Sequence, residues 1–272
     1  MLANGRDQPP GPFPEDVVAR PLRLIERQSP GRVVAYGLFA PILLVGPIAE
    51  YEEVLPALDG TRPVTPAQAG ECLLLLTTGL FKVFALALPL QWSAAAFSDY
   101  PVNGPFRLDV ALVAFTAYFA LNFSGYSDIA IAMGRWLGAP LRPNFDRPFL
   151  RTDPAAFWNN WHISLTRFLQ RNVFTPLGGT RPRRTVAATL VTMLLIGLWH
   201  ELAWGAAVFG LYHGISLVVH RAVSARRPAS TSNAVRALKP VLIFGWFAVS
   251  LPLLMLPTAE ILHYYRALVP VI

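Results

Sequence analysis

The sequence predicts an all-α, multi-pass integral membrane protein with re-entrant and interfacial helices. Of its 272 residues, 54% are hydrophobic and only 14% are charged, whereas about a quarter are charged in an ordinary soluble domain. The mean hydropathy is +0.43, and several uncharged stretches approach the roughly 20 residues that a helix needs to cross a bilayer. The single Cys72 cannot form an internal disulfide, and no Cys/His spacing matches a zinc motif, so helix packing in lipid must provide the stability.

The charge balance fits a membrane protein better than a nucleic-acid binder. Lys and Arg exceed Asp and Glu by 23 to 16, which gives a formal net charge of +7. The basic residues lie beside the apolar segments, where they orient helices and contact lipid phosphates. We therefore expect membrane lipids as partners and no nucleic acid.

The composition divides the chain into two parts. Residues 1–32 form a polar, Pro-rich, cytoplasmic tail, and residues 33–272 form the membrane-embedded core. The apolar stretch from Val33 to Ala49 contains Gly and Pro residues that interrupt a helix, which predicts a kinked or re-entrant segment. The segments Cys72 to Phe97, Leu108 to Gly134 and Pro240 to Pro257 are each predicted to cross the membrane.

Arginines predict the orientation. They are concentrated between Arg135 and Arg184, so this region should be cytoplasmic. The basic tail lies on the same side only if the Val33 to Ala49 segment does not complete a crossing, which favours the re-entrant interpretation.

The region from Thr185 to His220 is too long for one upright crossing, since it would extend about 54 Å as a single helix. Glu201 is its one formal charge. Two shorter helices joined near Ala203 to Gly205 fit better. This arrangement places Trp199, His200 and Glu201 deep in the bilayer or at its far boundary.

Three polar clusters lie in apolar surroundings, where burial of ionisable groups usually accompanies function. The first, NFSGYSD, contains Asn122, Ser124, Tyr126 and Asp128. Its hydroxyl, amide and carboxylate groups could line a site. Equally, small and polar residues help membrane helices to associate.

The second cluster, FWNNWHISLTRFL, runs from Phe157 to Leu169 and includes Trp161. Apolar residues at helical spacing predict an interfacial amphipathic helix, with His162 beside its buried face and Arg167 opposite. The alternative is an ordinary interfacial belt of Trp and His residues.

The third cluster is Trp199, His200 and Glu201, at the end of an uncharged run. His is the side chain that titrates nearest neutrality, and removal from water favours the neutral ring, which can accept a proton. The alternative is a structural histidine with a satisfied hydrogen bond. His200, His213 and His220 together suggest haem or metal ligation only weakly, so we expect no metal.

Five ordered motifs resemble the membrane-bound O-acyltransferase (MBOAT) family, in its bacterial branch of alginate O-acetylation and teichoic-acid D-alanylation proteins. They are VGPIAEYEEVLPAL, NFSGYSDIAIAMGRWLG, NFDRPFL, FWNNWHISLTRFLQRNVFTPLGG and GLWHELAWGAAVFGLYHG. Together they cover roughly residues 40–220.

The resemblance implies transfer of an acyl group, with acetyl expected, from a coenzyme A thioester or acyl carrier protein to hydroxyls of a cell-surface polysaccharide. No cofactor is expected to bind tightly. His200 matches the family's most characteristic histidine, and His162 matches its second. The resemblance thus implies His200 as general base, with His162 or nearby donors polarising the site. The residues expected to line a tunnel are Trp199, Trp161, Asn122, Ser124, Tyr126, Asp128 and Glu201.

The chain departs from the family pattern, which usually has Gly at Glu201 and Asp at Asn122. It is also about half the usual family length, so we expect missing helices to be supplied by another chain, or the chain to be a fragment. A second hypothesis is a non-catalytic membrane subunit that binds a partner membrane protein. A third, a transporter of lipid-linked sugars, would need more intramembrane charge. The expected location is the bacterial inner membrane.

Overall fold

The computed structural model describes residues 29–43, 46–60, 63–94, 108–225 and 233–268, with no strand among them. Four of its helices are long and apolar enough to cross a membrane: Pro66–Leu90, Leu108–Trp136, Trp204–Ser224 and Ala237–Met255. The predicted all-α, multi-pass class is confirmed. Most of the predicted tail lies outside the described residues.

The described residues fall into two compact units. The first unit contains the described residues up to Asp146, together with His162–Leu165. The second contains Arg147–Trp161 and the described residues from Thr166 onward. Each unit is described by itself below.

The first unit begins with three short helices, α1 (Pro30–Gly37), α2 (Ala40–Leu43) and α3 (Tyr51–Leu58). The predicted break in the apolar stretch is confirmed, since α1 and α2 are separate. A helix of eight residues rises only about 12 Å, so none of the three can cross a bilayer by itself. Glu50 and Glu53 close a capping box at the start of α3.

Two long helices complete the first unit. Helix α4 (Pro66–Leu80) begins six residues before the predicted span, because Thr65 and Gln68 form a capping box there. It continues as a π-helix (Phe81–Ala87) and a 3₁₀ turn (Leu88–Leu90). Helix α5 (Leu108–Trp136) packs against it where Gly79 meets Gly125. A Cβ atom at Gly79 would lie 2.7 Å from the Gly125 carbonyl oxygen, so small residues are required for this close approach.

The second unit begins with a 3₁₀ turn (Pro148–Leu150) and helix α6 (Pro154–Asn160). Asp153 caps α6 by accepting a hydrogen bond from the Ala156 amide at 2.8 Å. Helix α7 (Ile163–Leu169) starts in the first unit and ends in the second, where a π-helical turn (Gln170–Phe174) follows it.

The second unit continues with α8 (Thr185–His200) and α9 (Trp204–Ser224). The prediction of two helices in this region is confirmed, and the turn lies at Glu201–Ala203. Helices α10 (Asn233–Met255) and α11 (Thr258–Leu268) follow. Aromatic rings fill the core between α6, α9 and α10, where Phe157 contacts Trp161, Trp246 and Phe247.

Candidate functional site

The predicted continuous amphipathic helix from Phe157 to Leu169 is wrong. Helix α6 ends at Asn160 and α7 starts at Ile163, because His162 has a left-handed backbone with φ of 46°. This conformation is uncommon for a residue other than Gly, although His adopts it more readily than most. The position predicted for His162 beside the buried face of one helix therefore does not apply, and its ring contacts Phe123 of the first unit, to which His162 belongs.

His162 is 7% exposed in the first unit. Its ring meets the Phe123 ring edge-on, with centroids 4.9 Å apart, and stacks near Phe145 at 6.5 Å. The ring is thus held between two aromatic side chains, one from α5 and one from the loop after it.

Asn144, which is not among the predicted site residues, lies at the centre of the polar contacts around His162. Its side chain is buried, with 1% of the residue exposed. Asn144 Oδ1 lies 3.3 Å from His162 Nδ1 and accepts hydrogen bonds from the Ser164 amide at 3.1 Å and the Ser164 hydroxyl at 2.9 Å. Its Nδ2 donates to Ser127 Oγ at 3.1 Å. The available signal was the motif NFDRPFL, which begins with Asn144.

The backbone also ties Asn144 to the break. The Ile163 amide donates to the Asn144 carbonyl oxygen at 2.9 Å, and the Ile48 amide donates to Ser164 Oγ at 3.0 Å. Three segments distant in sequence therefore converge on the polar cluster formed by Ser127, Asn144, His162 and Ser164.

The NFSGYSD residues lie within α5, whose last eight residues follow Asp128. Asn122 and Ser124 are half-buried and flank Phe123, whose ring contacts His162. Tyr126 is exposed. Asp128 forms an ion pair with Lys82, with 2.6 Å between Oδ2 and Nζ.

The remaining predicted site residues belong to the second unit. Trp161 is 4% exposed and packs against Phe149 and Phe247. Trp199, His200 and Glu201 lie where α8 ends, and all three are exposed. The rings of Trp199 and His200 are in contact, with centroids 4.8 Å apart. Leu202 is 90% exposed and Trp204 is 79% exposed, so the turn presents large apolar side chains around His200.

His213 and His220 have other partners in the second unit. His213 is fully buried, with Nε2 2.9 Å from Ser250 Oγ, and its ring contacts those of Trp158, Phe209 and Trp246. His220 Nε2 lies 3.5 Å from the Asp153 carboxylate. These contacts give both rings a packing role.

The fold and the polar cluster define a helical membrane protein that carries imidazole groups among apolar helices. The sequence signature of the "MBOAT, membrane-bound O-acyltransferase family" matches residues 17–258. The chain belongs to this family, so the predicted resemblance is confirmed.

Several bacterial proteins are similar to the chain. It is 32% identical over 195 residues to a peptidoglycan O-acetyltransferase of Helicobacter pylori, a match that covers 68% of the chain and 36% of that protein. It is 32% identical over 222 residues to the probable alginate O-acetylase AlgI of Azotobacter vinelandii, covering 78% and 43%. It is also 28% identical over 231 residues to a teichoic acid D-alanyltransferase of Streptococcus thermophilus, covering 78% and 55%. The chain thus spans about a third to half of the length of these relatives.

Proposed function

We propose that the chain acts in a bacterial inner-membrane O-acyltransferase, which transfers an acyl group, with acetyl expected, to hydroxyls of a cell-surface polysaccharide. The observation that carries the proposal is the family match over residues 17–258, which includes both His162 and His200. The similar proteins are named for acyl transfer to alginate, peptidoglycan and teichoic acid.

The reaction needs a base and a donor with a good leaving group. A hydroxyl of the acceptor loses its proton to a neutral imidazole, for which we propose His200, while its oxygen bonds to the acyl carbon of a thioester. The bond from that carbon to sulfur then breaks, and the thiolate takes up the proton that the imidazole accepted, which returns the ring to its neutral form. General-base action contributes about 10² to 10⁴ in rate, and positioning of the two substrates must supply much of the rest.

The exposed position of His200 supports this role. Its ring is at the end of an apolar helix and is accessible beside Trp199, where a substrate can reach it. We further propose that Trp199, Trp161, Asn122, Ser124, Tyr126, Asp128 and Glu201 line the substrate path. The donor is a coenzyme A thioester or an acyl-loaded carrier protein.

The test measures alkali-released acyl groups on the envelope polysaccharides of a host that depends on this gene. His200→Ala should lower the rate of ester formation by at least about a hundredfold, the smaller of the effects expected for loss of a general base, and ester content should fall with it. His263→Ala is the matched control, because His263 lies beyond the matched residues and is exposed. Full ester content in the His200→Ala strain, with equal protein in the membrane, would refute the proposal.

A further inference from the structure

The first unit contains a pocket of about 320 Å³ between the start of α4 and the loop that follows α5. This volume lies at the lower end of the range for small-molecule sites, which is about 300–1,000 Å³. The lining residues come from two segments, 63–72 and 135–143, and both segments belong to the first unit.

The pocket wall after α5 is held by packing and by hydrogen bonds. Gly138 turns the chain with φ of 94°, and the Ala139 amide donates to the Gly134 carbonyl oxygen at 2.9 Å. Ala139 and Leu141 are buried in the core of the unit. Arg135 Nε donates to the Leu141 carbonyl oxygen at 2.7 Å, which fixes the guanidinium against this wall. The pocket therefore has its shape without a ligand.

Three charged side chains line the pocket: Glu71, Arg135 and Arg142. Arg142 is neutralised by Glu53, since its Nε lies 3.1 Å from Glu53 Oε1. Neither Glu71 nor Arg135 has an ion-pair partner among the described residues, and the two do not pair with each other. The pocket thus offers one unpaired carboxylate and one unpaired guanidinium.

The pocket lies where two membrane-crossing segments end. Helix α4 begins at Pro66, and α5 ends at Trp136, whose exposed indole suits a membrane interface. The arginines that follow predict that this end is cytoplasmic. Leu74 is 68% exposed and lies one helical turn after Glu71 on the same face of α4. An exposed apolar surface therefore leads from the pocket into the hydrocarbon region.

The two unpaired charges select the kind of ligand. A purely anionic group would bring a second negative charge to Glu71, and a purely cationic group would bring a second positive charge to Arg135. Like charges placed together lower affinity. A zwitterion, with an ammonium group and a phosphate, complements both side chains.

We propose that this pocket binds the headgroup of an aminophospholipid such as phosphatidylethanolamine, with its ammonium group on Glu71 and its phosphate on Arg135. Guanidinium N–H groups match phosphate oxygens in geometry and charge, and an ammonium group has three donors for a carboxylate. The acyl chains lie along the exposed face of α4 that includes Leu74. This binding does not depend on the proposed acyl transfer.

Native mass spectrometry of the full chain, with equal amounts of phosphatidylethanolamine and phosphatidylglycerol, tests the role of Glu71. The wild-type protein should retain phosphatidylethanolamine over phosphatidylglycerol by about tenfold, the value of one hydrogen bond between charged groups. Glu71→Gln should abolish this preference, and Glu71→Lys should reverse it. Glu52→Gln, on α3 and outside the pocket, is the matched control and should retain the preference. Equal retention of both lipids by the wild-type protein, or an unchanged preference in Glu71→Lys, would overturn the proposal.

The same measurement tests the role of Arg135. Arg135→Gln should weaken both lipids by about tenfold, because both contain the phosphate. Arg183→Gln is the matched control, since Arg183 is exposed in the same predicted cytoplasmic region and does not line the pocket. An equal loss in both variants would indicate general attraction to basic residues and would overturn a specific site. If Arg135→Gln fails to fold, the Glu71 variants decide, because Glu71 is exposed.

Competition identifies the source of the headgroup. Soluble phosphoethanolamine carries the same two charges without acyl chains, so it should displace the bound lipid only at much higher concentration. Displacement at equal concentration would assign the pocket to a soluble zwitterion and overturn the lipid. Displacement by coenzyme A, with the same dependence on Arg135, would assign the pocket to the acyl donor and also overturn the proposal. Each result is read from bound mass alone, whether or not the protein transfers acyl groups.

Discussion

The first unit contains an ion pair between Lys82 and Asp128. The two charges are 2.6 Å apart on neighbouring membrane-crossing segments, with 28% and 16% of their side chains exposed. Charges within a membrane are rare and are usually paired. Lys82 is the second residue of the π-helical part of its segment, Phe81–Ala87, a geometry that is frequent at functional positions.

Removing one partner of this ion pair should lower the free energy of unfolding by more than removing both partners does. Lys82→Met or Asp128→Asn alone leaves a partly buried polar or charged group without its partner, and should lower the free energy of unfolding by about 3–5 kcal/mol. The double variant should recover much of that loss. Thermal unfolding in detergent measures each variant.

The control is the surface pair of Arg32 and Asp59, in which 48% and 28% of the side chains are exposed. Arg32→Met should change the stability by at most about 1 kcal/mol. If Lys82→Met lowers the free energy of unfolding by no more than Arg32→Met does, the Lys82–Asp128 pair stabilises the protein no more than a surface ion pair does.

Helix pairs in both units approach closely through glycines. In the second unit, a Cβ atom at Gly210 of α9 would collide with the Met193 carbonyl oxygen of α8. Gly197 of α8 meets the Ala206 carbonyl oxygen in the same way. Because lipid is as apolar as the helix surfaces, such contacts between small residues provide much of the association energy. Since His200 is the last residue of α8, the packing of α8 against α9 positions it at the turn between the two helices.

We expect Gly210→Ala to separate α8 from α9 and to destabilise the protein by about 1–3 kcal/mol, as overpacking does in other cores. Thermal unfolding and the activity of the same samples measure the effect. Gly245→Ala in α10 is the control, since nothing lies within 4 Å of its added Cβ atom. That change should be neutral or stabilising by up to about 1 kcal/mol. Equal effects of the two substitutions would show that close packing at Gly210 is unimportant.

At the scale of the whole molecule, the arginines and the helix lengths together predict a topology. Helix α8 follows Arg181, Arg183 and Arg184, and α9 ends beside Arg221. Both ends of this helix pair should therefore be cytoplasmic. The turn at Leu202 should reach the opposite surface, where exposed Trp199 and Trp204 suit a membrane interface.

Labelling of single cysteines tests this topology. In a Cys72→Ala background, which removes the single native cysteine, a membrane-impermeant maleimide added to spheroplasts should label Leu202→Cys. It should label Arg183→Cys only after permeabilisation. Ala225→Cys, at the other end of α9, is the matched control and should behave like Arg183→Cys. Labelling of Leu202→Cys from the same side as Arg183→Cys would contradict the two crossings.

The sequence by itself determined the membrane class, the main crossing segments, the division of the region after Thr185 into two helices, and the family. These depend on local composition and spacing, because a lipid environment requires every crossing segment to be apolar and internally hydrogen-bonded. The five ordered motifs also located His162 and His200. Their catalytic roles stay predictions.

Only the tertiary structure decided the surroundings of His162. Periodicity predicted one helix from Phe157 to Leu169, but contacts of Asn144 with Ser164 and Ile163 hold a left-handed residue between two short helices. The tertiary structure also gave Asn144 and Lys82 their partners, which are 18 and 46 residues away along the chain. Helical spacing describes neighbours within one segment, whereas these bonds form only after distant segments have packed together.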